Sequence, residues 1–397
     1  MKVNKKIVTI IPISIIIFLF LLTNGSQFKS IANQQAQQLY LKYSYNSVDE
    51  YRVATYNHDS LGELRRNLSI HFPYTKNTDE IPRNIWQMWK HDDVKSLDKG
   101  LQDLIETWQH QENFTYKLIP DNYLDVFINE TFAETAPMVM EAFHKLPLII
   151  LKSDFMRYLL MFVYGGVYSD IDTSLHRNLT KWISYENTIT PNLPNQIGLV
   201  MGIESDRDEK NWARNSMPRR LQYCQWTLQS KPGHPMYREL ITRIVDLTLN
   251  HFDPKTMTLI KNGKTFDLNK GSNTKQSGIL QWTGPATITD ALFDYLNEVY
   301  KTSELLDPEL DFKQDKMIDP NRDLNLLSKV KFEKLRGATH NEYIPVERPI
   351  GWQNFTKQVH PILFDDDVLL LPHISFGNRE GGDLDYVMHH FKGSWKN

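Results

Sequence analysis

Apolar and polar positions divide the chain into stretches of different period. Lys2, Lys5 and Lys6 precede an unbroken apolar run over residues 7–22, which stops at Thr23-Asn24-Gly25. Basic residues before such a run predict a signal anchor, with residues 1–6 in the cytosol and everything after residue 22 luminal. Its length suits the thinner bilayer of early secretory membranes, and Leu22-Thr23-Asn24 lacks the small-residue pattern of a cleavage site. Residues 23–70 are polar, with Asn33-Gln34-Gln35-Ala36-Gln37-Gln38 among them, and predict a stem spacing a globular domain, 71–397, from the membrane.

Inside 71–397 the period switches repeatedly between that of strands and that of helices. Strands are predicted at 85–89, 116–119, 197–204 and 367–372, and helices at 101–109, within 123–143, from 235 to about 249 and up to 300. Alternating helix and strand predicts an α/β fold with a mostly parallel central sheet. Residues 251–277 and 301–348 are polar and weakly patterned, as expected of surface excursions.

The stretch that organises the rest is LKSDFMRYLLMFVYGGVYSDIDT, residues 151–173. Leu151, Phe155, Tyr158, Leu159 and Phe162 fall close to helical spacing, Gly165-Gly166 end the helix, and Val167, Tyr168 and Ile171 predict a following strand. On a strand, Asp170 and Asp172 turn both carboxylates to one side. Two such charges repel unless a cation sits between them. Mn²⁺ and Mg²⁺ are hard ions commonly bound through one or two carboxylates together with the phosphates of a substrate. Most Asp-x-Asp pairs are solvated turns; this one follows a buried aromatic strand, a costly place for two charges.

Composition narrows the reading. At 41% hydrophobic and 23% charged residues the chain can bury a core, and a net charge of −3 without a basic footprint argues against nucleic acid as the partner. Cys224 is the one cysteine, so no intrachain disulfide supports the fold. Sequons at Asn24, Asn67, Asn113, Asn129, Asn178 and Asn354 all lie on the luminal side of the predicted anchor, with Asn24 too near the bilayer for glycosylation.

The run S-D-F-x-R-Y-L-L…Y-G-G-V-Y-S-D-I-D-T resembles the sugar-nucleotide signature of glycosyltransferase family 32. The resemblance extends to I-P-R-N-I-W-Q-M-W-K at 81–90, R-R-x-Q-x-x-x-W-x-x-x-x-K-P-G-H-P at 219–235, T-G-P at 283–285 and H-x-F-x-G-S-W-K at 389–396. It implies a GT-A-like nucleotide-sugar-binding fold, a metal motif of Asp170 and Asp172, and a third ligand from the doublet His389 and His390. It implies donor contacts from Asp154, Arg157, Tyr168, Trp86 and Lys396, and phosphate or acceptor contacts from Arg219, Arg220, Thr283 and Gly284. From the residues alone, Asp154 and Arg157 are equally a surface ion pair, Trp86 and Trp89 core packing, and Arg219 and Arg220 surface charge. The members most similar are fungal mannosyltransferases. They imply retaining transfer of mannose from GDP-mannose to the high-mannose N-glycan core of glycoproteins in α-1,6 linkage, dependent on Mn²⁺ or Mg²⁺, at the Golgi membrane and in a mannosyltransferase complex. Two alternatives stand beside this: a lipid acceptor, inositol phosphorylceramide, and a non-catalytic subunit of a mannan-polymerase complex. Neither Asp170 nor Asp172 is lost, and no second span of about 20 apolar residues is present.

Overall fold

The structure is a computed structural model, and it describes residues 58–75, 80–186, 188–190, 193–206, 217–269, 277–300, 352–364, 367–377 and 382–392. The predicted anchor and cytosolic tail, most of the stem, the 301–348 excursion, Asn24 and Lys396 lie outside them. No helix among the described residues is long and apolar enough to cross a membrane.

The first described element is helix α1, His58–His71, which lies in the segment expected to be stem. Its Leu61, Leu64 and Leu68 are buried, and Arg65 meets Glu239 at 2.8 Å. The folded body therefore begins before residue 71. Strand β1, Asn84–Trp89, follows, then α2, Lys99–Gln109, whose Leu101, Leu104, Ile105 and Trp108 form one buried stripe behind an Asp98 cap on Leu101 N. Next come β2, Thr115–Pro120, α3, Asp121–Phe132, α4, Pro137–Lys145, and α5, Ile149–Tyr164. Helix α5 is buried on nearly every side, which makes it a core helix.

Two glycines end α5 and aim the next strand. Gly165 and Gly166 have φ of +62° and +97°, and a Cβ on Gly166 would sit 2.5 Å from Asn84 O. Only that bare backbone lets β3, Gly166–Ser169, pair with β1. After it come β4, Thr173–Leu175, β5, Thr188–Thr190, β6, Leu193–Pro194, β7, Leu199–Asp206, β8, Leu221–Tyr223, and β9, Thr227–Ser230. Helix α6, Pro235–Asn250, is capped by the His234 side chain accepting from Met236 N, and His234 Nε2 donates 3.1 Å to Asp367. Strands β10, Phe252–Asp253, β11, Thr258–Lys261, and β12, Lys264–Asp267, lead to α7, Gly278–Trp282, and α8, Pro285–Tyr300. Strands β13, Ile362–Phe364, β14, Val368–Leu371, and β15, Val387–His389, close the described chain.

The main sheet has the order β13-β14-β7-β9-β3-β1-β2, with β8 beside β7. It is mixed and not mostly parallel. Strands β1, β2, β3, β7 and β14 run one way, while β9 enters between β3 and β7 antiparallel to both. Nothing in the apolar pattern announced β8 and β9, because Gln222, Thr227, Gln229 and Ser230 are polar yet buried. Several of these side chains find partners inside the sheet, as between Thr227 and Ser169 or Gln229 and Ser184, both at 2.8 Å. The 251–277 region is likewise more regular than its polarity suggests. Residues β10 to β12 form a three-stranded meander, turned at Asn262-Gly263, both at positive φ. Asn-Gly is the dipeptide that favours such a turn.

Candidate active site

The five co-directional strands bring their carboxyl ends to one edge of the sheet, where ligands of open α/β sheets bind. Asp170 and Asp172 lie there, in the turn after β3 and not on the strand itself, which ends at Ser169. Their convergence comes from that tight turn. Thr173 N and Oγ1 both donate to Asp170 O, at 3.2 and 2.6 Å, and Gln87 Nε2 donates to the same oxygen at 3.1 Å. Asp170 N donates to Trp226 O at 2.8 Å, tying the turn to the start of β9.

Strand β15 supplies the third member. It pairs antiparallel with β4, matching His389 to Thr173, and this puts His389 Nε2 3.3 Å from Asp172 Oδ1. His390 N and Lys392 N donate to Asp172 O and Oδ2, each at 2.9 Å. One ligand atom from each of Asp170, Asp172 and His389 falls within 4.8 Å of the others, and this is the one such cluster among the described residues. The doublet is thereby resolved: the His390 ring lies 2.9 Å from Ser174 Oγ and outside the cluster.

Electrostatics favour a cation at this point. Arg157 NH1 lies 3.3 Å from Asp170 and its NH2 2.9 Å from Asp154, so one guanidinium bridges two carboxylates, and Asp172 adds a third negative charge beside Asp170. Burial raises the pKa of Asp154 to about 7, with Asp170 adding to the rise and Arg157 opposing it. Burial also raises Asp170, with Asp172 adding to it, and lowers His389. A buried imidazole kept neutral beside two carboxylates is a donor set suited to Mn²⁺ or Mg²⁺. Ligation through His389 Nε2 has one local requirement. Phe391 N donates 3.0 Å to His389 Nδ1, so the ring proton sits on Nε2; freeing Nε2 moves it to Nδ1 and releases Phe391 N.

The structure distributes the remaining sequence-predicted residues unevenly. Tyr168 donates to Asp170 Oδ1 at 2.7 Å and carries the Arg157 guanidinium 5.2 Å over its ring. Arg157 is 5% exposed, and its Nε has no partner among the described residues, an orphaned donor beside the carboxylates. Asp154 is turned inward: its oxygens take Arg157 NH2 and, at 3.0 Å, Thr283 Oγ1. Thr283 thus supports the site through Asp154. Gly284 serves the turn itself, where a Cβ would lie 2.6 Å from Leu280 Cα.

Three predicted contacts are placed elsewhere. Trp86 faces the opposite side of the sheet, where its Nε1 donates 2.8 Å to Gly165 O and its ring stacks on Tyr164. By strand alternation Gln87 and Trp89 are the β1 side chains on the Asp170 side. Arg219 is 3% exposed and bidentate to Asp290, both bonds 2.6 Å, and Arg220 stacks 3.7 Å over Trp352. Four site residues escaped sequence reading: Gln87, Glu204, Gln225 and Trp226. Gln225 O accepts from Arg157 NH1 at 3.1 Å, and Trp226 packs 4.8 Å from the His389 ring. For Gln87 the signal was present, in its period-2 relation to Trp89; for the others only the sheet brings them in.

Known proteins match this chain along most of its length. Residues 27–189 match the family described as glycosyltransferase sugar-binding region containing DXD motif. The initiation-specific alpha-1,6-mannosyltransferase of Candida albicans is 36% identical, over 84% of this chain and 76% of that protein. The Saccharomyces cerevisiae protein of the same name is 31% identical, over 85% of this chain and 82% of that protein. The Schizosaccharomyces pombe protein of that name is 27% identical, over 90% and 74%.

Proposed function

Because the chain belongs to the initiation-specific α-1,6-mannosyltransferase family and is therefore a mannosyltransferase, we propose that it transfers mannose from GDP-mannose to the core of high-mannose N-glycans, with retention of configuration. The observation that carries the reading is the meeting of Asp170, Asp172 and His389 from two distant parts of the chain at the carboxyl edge of the sheet. A sugar diphosphate is the kind of ligand that an excess of carboxylates would repel unless a cation stood between them. Asp170, Asp172 and His389 would hold that divalent cation, which when bound supplies positive charge to the departing diphosphate.

The other residues have work of their own. Arg157 offers an unpartnered N–H beside Asp170, fit for a hydroxyl or phosphate oxygen of the donor, and Asp154 and Gln225 O fix its orientation. Tyr168 holds the Asp170 carboxylate and Gln87 the Asp170 backbone carbonyl, so the residue is oriented before ligand arrives. The anomeric centre keeps its configuration most simply by front-face attack, in which the leaving phosphate oxygen takes the acceptor's proton. In this reading the 7–22 anchor holds the enzyme in the Golgi membrane, where glycoproteins with high-mannose glycans pass.

The test uses the full-length protein in detergent with Mn²⁺, GDP-mannose and a high-mannose N-glycan, beside Asp172→Asn. Addition of one mannose by the wild type alone, removable by an α-1,6-specific mannosidase, is the expected result. Transfer only to inositol phosphorylceramide would overturn the acceptor, and failure to bind GDP-mannose would overturn the donor.

A further inference from the structure

Glu204 is a carboxylate at this edge of the sheet that the functions above do not use. It lies near the carboxyl end of β7, two strands from β3 with β9 between, and so on the side of Asp170 away from β1 and β2. Because β7 runs parallel to β3 and β9 runs against both, Glu204, Asp170 and the start of β9 share one edge. Glu204 Oε1 accepts from Trp226 Nε1 at 3.1 Å and Oε2 from Gln222 Nε2 at 2.6 Å. Trp226 in turn accepts Asp170 N on its carbonyl and packs its ring on His389. Glu204 is thus one side chain removed from the metal cluster and rigidly held.

Two features say that this is more than a brace. Both bonds come from N–H donors, which favour the ionised, acceptor-only form, while burial raises the pKa against them. Each carboxylate oxygen keeps lone-pair capacity for a second donor, and Glu204 is only half-buried, whereas Asp154 is closed off by its partners. A fixed carboxylate with outward acceptor capacity matches the hydroxyls of a sugar. In the function proposed above, the nucleotide-linked sugar is held from the β1 and β3 side.

Resting on that reading, we propose that Glu204 binds the acceptor sugar, accepting a hydrogen bond from a hydroxyl of the mannose that receives the new linkage. The residue touches the acceptor and fixes its approach to the anomeric carbon; no covalent bond to Glu204 forms.

The experiment compares full-length wild type with Glu204→Gln, measuring acceptor KM, GDP-mannose KM, kcat, acceptor-independent hydrolysis of GDP-mannose, and Tm. Loss of a hydrogen bond to a charged group predicts a fall of about 10- to 150-fold in kcat/KM for the acceptor. GDP-mannose KM and donor hydrolysis stay within threefold, and Tm within about 2 °C. A set of monodeoxy mannoside acceptors supplies a second measurement on the wild type alone: one of them loses a factor of the same size. If Glu204→Gln folds, that acceptor is no worse than its parent on the variant. Loss of donor hydrolysis together with transfer would move Glu204 to the donor side and overturn the proposal. An equal fall in every parameter with a lowered Tm would make it a brace for Trp226 and overturn it too, as would a wild type indifferent to every deoxy acceptor. A wild type that hydrolyses no GDP-mannose and transfers to no mannoside would instead sink the functional reading on which the proposal rests.

Discussion

Arg219 offers a sharp choice between a residue that holds the fold and one that holds a ligand. Its guanidinium makes two 2.6 Å bonds to Asp290, and Lys261 Nζ sits 3.2 Å from the same carboxylate. All three side chains are under 5% exposed. Removing one partner of a buried pair costs about 3–5 kcal/mol, because the remaining charge is left uncompensated. Arg219→Met keeps most of the volume, and Lys261 still faces Asp290, so the lower end, about 3 kcal/mol, is expected. A domain of this size has an unfolding entropy of roughly 0.7 kcal/mol/K, which turns that loss into a Tm drop of about 4 °C. The acid limb of stability gives a second readout. Burial alone would raise the Asp290 pKa, but Arg219 and Lys261 outweigh it and hold it down to about 2. Its stabilising contribution is complete above the ordinary carboxylate value of 3.8 and is lost as pH falls toward 2. In Arg219→Met the Asp290 pKa rises, so the acid-dependent loss is smaller and ends at higher pH. Thermal unfolding followed by circular dichroism from pH 2 to 7, with GDP-mannose KM measured at 20 °C, tests both. A variant with unchanged Tm and a GDP-mannose KM raised tenfold would refute the argument and restore Arg219 as a ligand contact.

Other perturbations separate the site from its supports. Asp170→Asn and Asp172→Asn each reduce transfer at least 100-fold, and Mn²⁺ binding by calorimetry weakens in parallel while Tm changes by no more than a few degrees. His389→Ala weakens Mn²⁺ at least tenfold, whereas His390→Ala, which loses the contact with Ser174, shifts it less than threefold; equal effects would contradict the assignment of the doublet. Trp86→Phe forfeits the bond to Gly165 O, lowering stability by about 1 kcal/mol with GDP-mannose KM unchanged, while Trp89→Ala raises that KM about tenfold in steady-state assays.

What the sequence determined by itself was local and periodic. Helix α5, its glycine stop and the strand beyond it follow from apolar spacing and from two residues that adopt positive φ at no cost. Asp170 and Asp172 are legible as a pair because they are adjacent in the chain, and the alternation of elements announced an α/β fold. The tertiary structure decided whatever depends on residues far apart. Strand β9 lies antiparallel inside a sheet otherwise expected to be parallel, since its polar side chains find their partners only once buried together. His389 reaches Asp172 across 217 positions because β15 pairs with β4, and that register alone separates it from His390. Arg219 and Trp86 looked like ligand contacts because motif spacing says nothing about which face a side chain takes or which distant carboxylate meets it. Glu204 carried no local signal at all; its place beside the site comes from the order of strands, which hydrophobic period cannot encode.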